Sequence, residues 1–188
     1  MKLVSILGSP RKKGVTSQIA RAFSTKAEEQ GAQIIEYHLN TLDFKGCQGC
    51  NACKSKLDHC ALKDGLTPVL EDLKTADIAL FATPVYYWDV TGQFKCFMDR
   101  TWSLVKPDYQ TNPDPVRLDR GKKAVLITSQ GDVADKHRDV TQKYTGFLQM
   151  YGYDTHTIRA CEMGMDTDER IGPFLDLARE KARELIVQ

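Results

Sequence analysis

Apolar and polar positions fall into blocks along this chain, and the period changes from block to block. Leu3-Val4-Ser5-Ile6-Leu7 is a short apolar run ending at Gly8, the pattern of a buried strand. Ile19, Ala20, Phe23 and Ala27 then recur at helical spacing. Gly31 punctuates a turn, and residues 33–39 read as a second strand. Residues 40–65 read as a loop. Thr67-Pro68 starts a second helix, with Val69, Leu70 and Leu73 on one face and the proline just inside the start. Residues 77–82 are a continuous apolar run, as in strands buried on both faces of a parallel sheet. Residues 83–89 form the loop after it. Phe94, Phe97 and Met98 mark a third helix. Residues 103–120 hold Pro107, Pro113 and Pro115 and read as an irregular excursion. Residues 123–128 are a fourth strand, followed by a loop at 129–132. Val140, Tyr144, Phe147, Leu148 and Tyr151 mark a fourth helix, and residues 155–160 a weaker fifth strand. A last helix is expected from about Asp168 to Val187, with Phe174, Leu177, Ala178, Leu185 and Ile186 inward.

Five strands alternating with five helices imply an α/β fold, a parallel sheet covered by helices on both faces. Its crossovers are right-handed. In a five-stranded sheet ordered 2-1-3-4-5, strands one, three and four are neighbours. The loops carrying Ser9, Tyr86 and Gly131 then share one end of the sheet, at the switch point where such sheets bind ligands. The length suits one domain, residues 1–188, with a cysteine-rich loop at 41–65.

The loop between the first strand and first helix is Gly8-Ser9-Pro10-Arg11-Lys12-Lys13-Gly14-Val15-Thr16-Ser17. A helix start presents N–H groups without internal partners, and its dipole favours an anion there. Ser9, Thr16 and Ser17 add hydroxyls, and Arg11 adds a fork that matches phosphate. The loop is neither Gly-x-Gly-x-x-Gly nor a loop ending in Gly-Lys-Ser/Thr. An ordinary strand-to-helix turn also favours Gly, Ser and Thr at the cap. Its place at the end of an open sheet favours the anion site.

Net charge is +1, which gives no electrostatic case for nucleic acid. No segment approaches the ~18 apolar residues of a membrane span. The first apolar run is too short for a signal peptide, so a cytoplasmic chain is expected. In that compartment six cysteines argue for metal or redox chemistry rather than structural disulfides. Cys47, Cys50 and Cys53 have Cys-x2-Cys-x2-Cys spacing, and Cys60 supplies a fourth soft ligand. Three readings stand: an iron–sulfur cluster, which takes four thiolates; a zinc ion, which more often uses two separated Cys-x2-Cys knuckles; or thiols without metal, including a redox-active disulfide. Cys96 and Cys161 read as small buried hydrophobes. His59 reads as a solvent-facing loop residue, and Asp99-Arg100 as a structural salt-bridged pair or an interface contact. No carboxylate pair and no Ser/His/Asp set points to hydrolysis.

Gly8-Ser9-Pro10-Arg11 with Gly14 and Thr16, then Pro84-Val85-Tyr86, then Lys95 and Asp99-Arg100, resemble flavodoxin-like FMN reductases. Cys47 to Cys53, with Cys60 and Asp64, resembles the iron–sulfur flavoprotein branch. The resemblance implies a flavodoxin-like three-layer sandwich. It implies FMN with its phosphate on Ser9, Arg11, Lys13, Gly14, Val15, Thr16 and Ser17, where Val15 replaces a frequent family asparagine. It further implies an isoalloxazine ring along Pro84, Val85, Tyr86, Tyr87 and Trp88, and close approach at Gly131. The metal ligands would be Cys47, Cys50, Cys53 and Cys60, holding a 4Fe–4S cluster. No protein residue need act as acid or nucleophile, because the flavin carries the chemistry. NAD(P)H would be a transient donor, and partners would be small molecules or ferredoxin-type carriers. Tyr86, Tyr87, Trp88 and Trp102 give more apolar surface than a flavin covers, so a homodimer or homotetramer is expected. The rivals are a cluster-free NAD(P)H-dependent FMN or quinone reductase and a non-catalytic electron carrier.

Overall fold

The computed structural model describes residues 1–164 and 170–186. Among these, the strands are β1 (Lys2–Leu7), β2 (Gln33–His38), β3 (Ile78–Tyr86), β4 (Asp89–Val90), β5 (Lys123–Ser129) and β6 (Asp154–Ala160). The helices are α1 (Val15–Glu29), α2 (Leu66–Thr75), α3 (Gly92–Arg100), α4 (Arg138–Met150) and α5 (Gly172–Leu185). The long strands pair in parallel in the order β2-β1-β3-β5-β6. This is the expected 2-1-3-4-5 order once the two-residue β4 is set aside.

The period of two along each strand divides the core between the two faces. Val4, Ile6, Ala79, Phe81, Ala124 and Leu126 face α2, α3 and α4. Leu3, Leu7, Leu80, Ala82, Val125 and Ile127 face α1 and α5. The result is a three-layer flavodoxin-like sandwich. Each large side chain buried in it contributes ~1.5–3 kcal/mol.

Four expectations need correction. The sixth strand arises because residues 83–89 are not a loop: β3 runs on to Tyr86 and folds back on β4, pairing Val85 with Val90 and Tyr86 with Asp89. The turn at Tyr87-Trp88 has none of the Asn, Asp or Gly residues that mark a two-residue hairpin. The excursion at 103–120 is partly ordered by a bridge between Val105 and Val116 and by edge-on packing of Trp102 and Tyr109 at 5.4 Å. Cys96 and Cys161 are half-buried rather than buried: Cys96 sits mid-way along α3 beside Gly46 of the cysteine loop, and Cys161 directly follows β6. The described part of the last helix begins at Gly172; Asp168 and Val187 lie outside the described residues. Among the described residues no helix is long and apolar enough to cross a membrane.

Candidate functional site

The C-terminal ends of β1, β3 and β5 lie side by side, and the order in which strands are added reverses between the parallel neighbours β1 and β3. Gly8 leaves β1 with its N–H on the Ala82 carbonyl at 2.7 Å. A Cβ on Gly8 would meet Phe94 Cβ at 2.8 Å, so only glycine lets α3 approach this closely. The loop then folds on the Arg11 carbonyl, which accepts from Gly14 N–H at 3.0 Å and from the Ser9 and Ser17 hydroxyls, each at 3.3 Å. Arg21 and Gln18 side chains donate to the Lys12 and Lys13 carbonyls. The loop's carbonyls are thus engaged from within.

Gly14 caps α1, and no side chain accepts from the helix's first N–H groups. No acidic residue lies in that first turn. The N–H groups of Val15, Thr16 and Ser17 and the positive end of a 15-residue helix are therefore left for an anion. Ser9, Thr16 and Ser17 are buried in the cradle, while Arg11 and Lys13 stand exposed at its rim. A hydroxyl holding a bond as long as 3.3 Å turns readily toward a stronger acceptor. This donor set fits a terminal phosphate.

Beside the cradle stands the β3–β4 hairpin. Tyr87 and Trp88 both have positive φ, 48° and 65°, which is unusual for large side chains. Their rings pack edge to face at 5.0 Å and project into solvent, 92% and 69% exposed. Strained backbone that displays aromatic rings at a sheet's ligand end is a functional signal. Pro84 and Val85 form the hairpin's inner side and are progressively less buried toward Tyr86. Gly131 begins the third wall and is exposed. The neighbouring Gln130 is buried and donates to the Asp132, Val133 and Lys136 carbonyls, so it shapes the wall from inside.

A second site lies under the cysteine loop. Cys47, Cys50, Cys53 and Cys60 line one cavity of about 130 Å³, together with Arg100 and Trp102. Among the described residues no three Cys, His, Asp or Glu converge on a single ion. The loop is fastened from below by three cations. Lys54 donates to the Trp102 and Val105 carbonyls and lies 4.1 Å over the Trp102 ring. Arg117 donates to the Cys53 carbonyl at 3.1 Å and to the Ser103 and Val105 carbonyls. Arg100, fully buried, forms a two-pronged ion pair with Asp64 at 2.7 and 3.1 Å. Burial pushes the Cys53 thiol up, with Lys54 opposing it.

Residues 1–151 match the family model for NADPH-dependent FMN reductase. The chain is 33% identical over 132 residues to an iron–sulfur flavoprotein of Methanocaldococcus jannaschii, covering 70% of this chain and 63% of the relative. It is 36% identical over 100 residues to an iron–sulfur flavoprotein of Archaeoglobus fulgidus, covering 53% and 45%. The chain belongs to the NADPH-dependent FMN reductase family. It spans about half the length of the curated relatives it matches. The fold agrees with that of an NAD(P)H:quinone oxidoreductase from Methanothermobacter marburgensis, at TM-score 0.78 and 17% identity, over 100% of this chain and 98% of the other. It also agrees with an FMN-dependent NADH-azoreductase from Bacillus anthracis, at TM-score 0.77 and 17% identity, over 98% and 99%.

Within this member of the family, Asp99 and Arg100 are not partners of each other. Asp99 pairs with Lys95 on the exposed side of α3, and Arg100 turns inward to Asp64. Adjacent helical residues point about 100° apart, which keeps the two from pairing. His59 pairs with Asp58 and remains exposed. Lys54 and Arg117, which hold the cysteine loop, escaped the sequence reading because a lone cation in a loop carries no periodic signal.

Proposed function

We propose that this chain binds FMN and acts as an FMN-dependent oxidoreductase, with a 4Fe–4S cluster on Cys47, Cys50, Cys53 and Cys60. The observation that carries the flavin reading is the uncapped start of α1 beside a strained aromatic hairpin at the β1/β3 switch point. Ser9, Thr16, Ser17 and the Val15 N–H would hold the phosphate, with Arg11 and Lys13 over its outer face. Pro84 to Trp88 would line the ring, and Gly131 would leave room at its far side. When bound, FMN supplies hydride acceptance and single-electron release.

The donor chemistry beneath the loop fits a cluster. Four soft thiols line one cavity, and four thiolates are the ligand set that such a cluster takes. Half-buried Lys54 would offset part of the charge of such a group, while the charge of Arg100 is largely answered by Asp64.

NAD(P)H would reach the flavin face transiently, and a small-molecule or ferredoxin-type partner would exchange electrons. A homodimer or homotetramer would cover Tyr87, Trp88, Phe147 and Met150, all exposed in the single chain. Light scattering at micromolar concentration tests this, and a monomer overturns it.

The deciding experiment is anaerobic purification followed by a visible spectrum, FMN quantitation, iron and labile-sulfide assays, and turnover with NADH and NADPH. Stoichiometric FMN with four irons per chain is expected. FMN without iron or sulfide moves the reading to a cluster-free FMN or quinone reductase. FMN that neither nucleotide reduces moves it to an electron carrier.

A further inference from the structure

Arg100 closes α3, and its side chain is fully shielded from solvent. A guanidinium has five N–H donors, and here all five are directed at named acceptors. Nη1 donates to Asp64 Oδ2 and to the Lys45 carbonyl, each at 2.7 Å. Nη2 donates to Asp64 Oδ1 at 3.1 Å and to the Leu62 carbonyl at 3.3 Å. The fifth, Nε, donates to Cys60 Sγ at 3.1 Å. Asp64 and two carbonyls already answer the need to neutralise and solvate a buried cation. The fifth donor is different, because a thiol sulfur is a weak acceptor and a thiolate is a strong, charge-assisted one. This geometry suits an anionic sulfur at Cys60.

We propose that Arg100 is a positioning residue for the cluster, and that its Nε–H bond to the Cys60 sulfur holds that ligand and raises the cluster's reduction potential. The proposal rests on the cluster reading above. An N–H bond to a ligand sulfur withdraws electron density, and it strengthens as the cluster gains an electron. Such bonds and net charge are two of the main determinants of cluster potential. Because Asp64 grips the guanidinium with both oxygens, much of the positive charge is cancelled locally. The directed bond therefore outweighs the bare charge.

Two substitutions separate bond from charge. Arg100→Lys keeps the positive charge and loses the planar Nε donor. Asp64→Asn keeps the bond and releases the guanidinium's charge. The readout is a dithionite titration of anaerobic holoprotein, following the reduced cluster by electron paramagnetic resonance. FMN stoichiometry and circular dichroism report folding. In Arg100→Lys the reduced fraction at fixed poise is expected to fall at least tenfold, a drop of about 59 mV for one electron. Iron should also leave faster to a chelator, with the FMN midpoint unchanged. In Asp64→Asn the cluster potential should rise. A loaded Arg100→Lys cluster at the wild-type potential overturns the proposal, as does a fall in both variants. If Arg100→Lys does not fold, Arg100→Gln, which keeps an N–H donor and loses the charge, decides: a cluster potential near that of the wild type supports the proposal, and a fall of the full ~59 mV overturns it. Wild-type protein without iron or sulfide instead removes the cluster reading, and this proposal with it.

Discussion

The hydroxyl of Thr91 donates to the carbonyl oxygen of Gly8 over 2.7 Å, and both groups are buried. The same hydroxyl accepts the Phe94 N–H and caps α3. One side chain therefore locks the aromatic hairpin's exit to the start of the phosphate cradle. Thr91→Val keeps the shape and loses both bonds. It is expected to cost about 1–3 kcal/mol of stability, from the lost cap and an orphaned buried carbonyl. FMN affinity should fall in parallel, measured by quenching of flavin fluorescence.

Arg11→Ala combined with Thr16→Ala tests the cradle directly. On the proposed assignment each would remove a contact to phosphate worth about 1.5–3 kcal/mol. The FMN dissociation constant should rise at least tenfold, with little change in the urea midpoint from the exposed Arg11. Unchanged affinity would remove the phosphate from this loop.

The hairpin offers a test in the opposite direction. Tyr87 and Trp88 occupy a left-handed turn that Asn-Gly adopts without strain. Tyr87→Asn with Trp88→Gly should stabilise the protein by about 1–3 kcal/mol. Flavin binding or turnover should decline at the same time. A urea titration and a turnover assay on the same preparation check both halves, and a gain in both would deny the rings a role.

Far from the site, Tyr37 donates to Asp72 at 2.5 Å, and Lys2 donates to the other carboxylate oxygen at 2.7 Å. Burial, then the Asp72 bond, raise the Tyr37 hydroxyl to about 12. Burial pulls Asp72 upward too, but its bonds from Lys2 and Tyr37 hold it below the ordinary 3.8. A tyrosine raised on folding contributes stability that is complete below pH ~10 and is lost toward pH ~12; a lowered aspartate contributes stability that is lost as pH falls below ~4. Between these limits the main expected slope lies at and below pH 6.5: burial lowers the His38 imidazole below its ordinary 6.5, so that stability is lost as pH falls through that range. Tyr37→Phe should soften the alkaline fall, leaving the shares of Tyr144, Tyr151 and Tyr153, whose hydroxyls burial also raises. An identical alkaline profile in the variant would assign the fall to other groups.

The sheet order and the strand-to-helix turn after β1 were legible because they depend on local features: apolar runs, helical spacing, and glycines at the turn. The hairpin was not, because Tyr87 and Trp88 adopt their backbone angles against their own preference. Arg100 was misread for a related reason. A charge at a helix end is ordinarily solvated, and only the long-range approach of Asp64 and Cys60 makes burial tolerable. The aromatic run and the cysteine spacing pointed to chemistry, but their supports come from segments distant in sequence.

That distance has a consequence for how the protein is made. The thiols lie between residues 47 and 60, while Arg100, Trp102, Val105 and Arg117, to which their loop is fastened, come later in the chain. At ~5–20 residues per second, the ribosome delivers the cysteines several seconds before these anchors. During that interval the nascent chain carries four thiols whose loop still lacks its anchors. On the proposed cluster reading, loading would wait for completion of α3 and the segment after it, a late step in biogenesis for ligands encoded early.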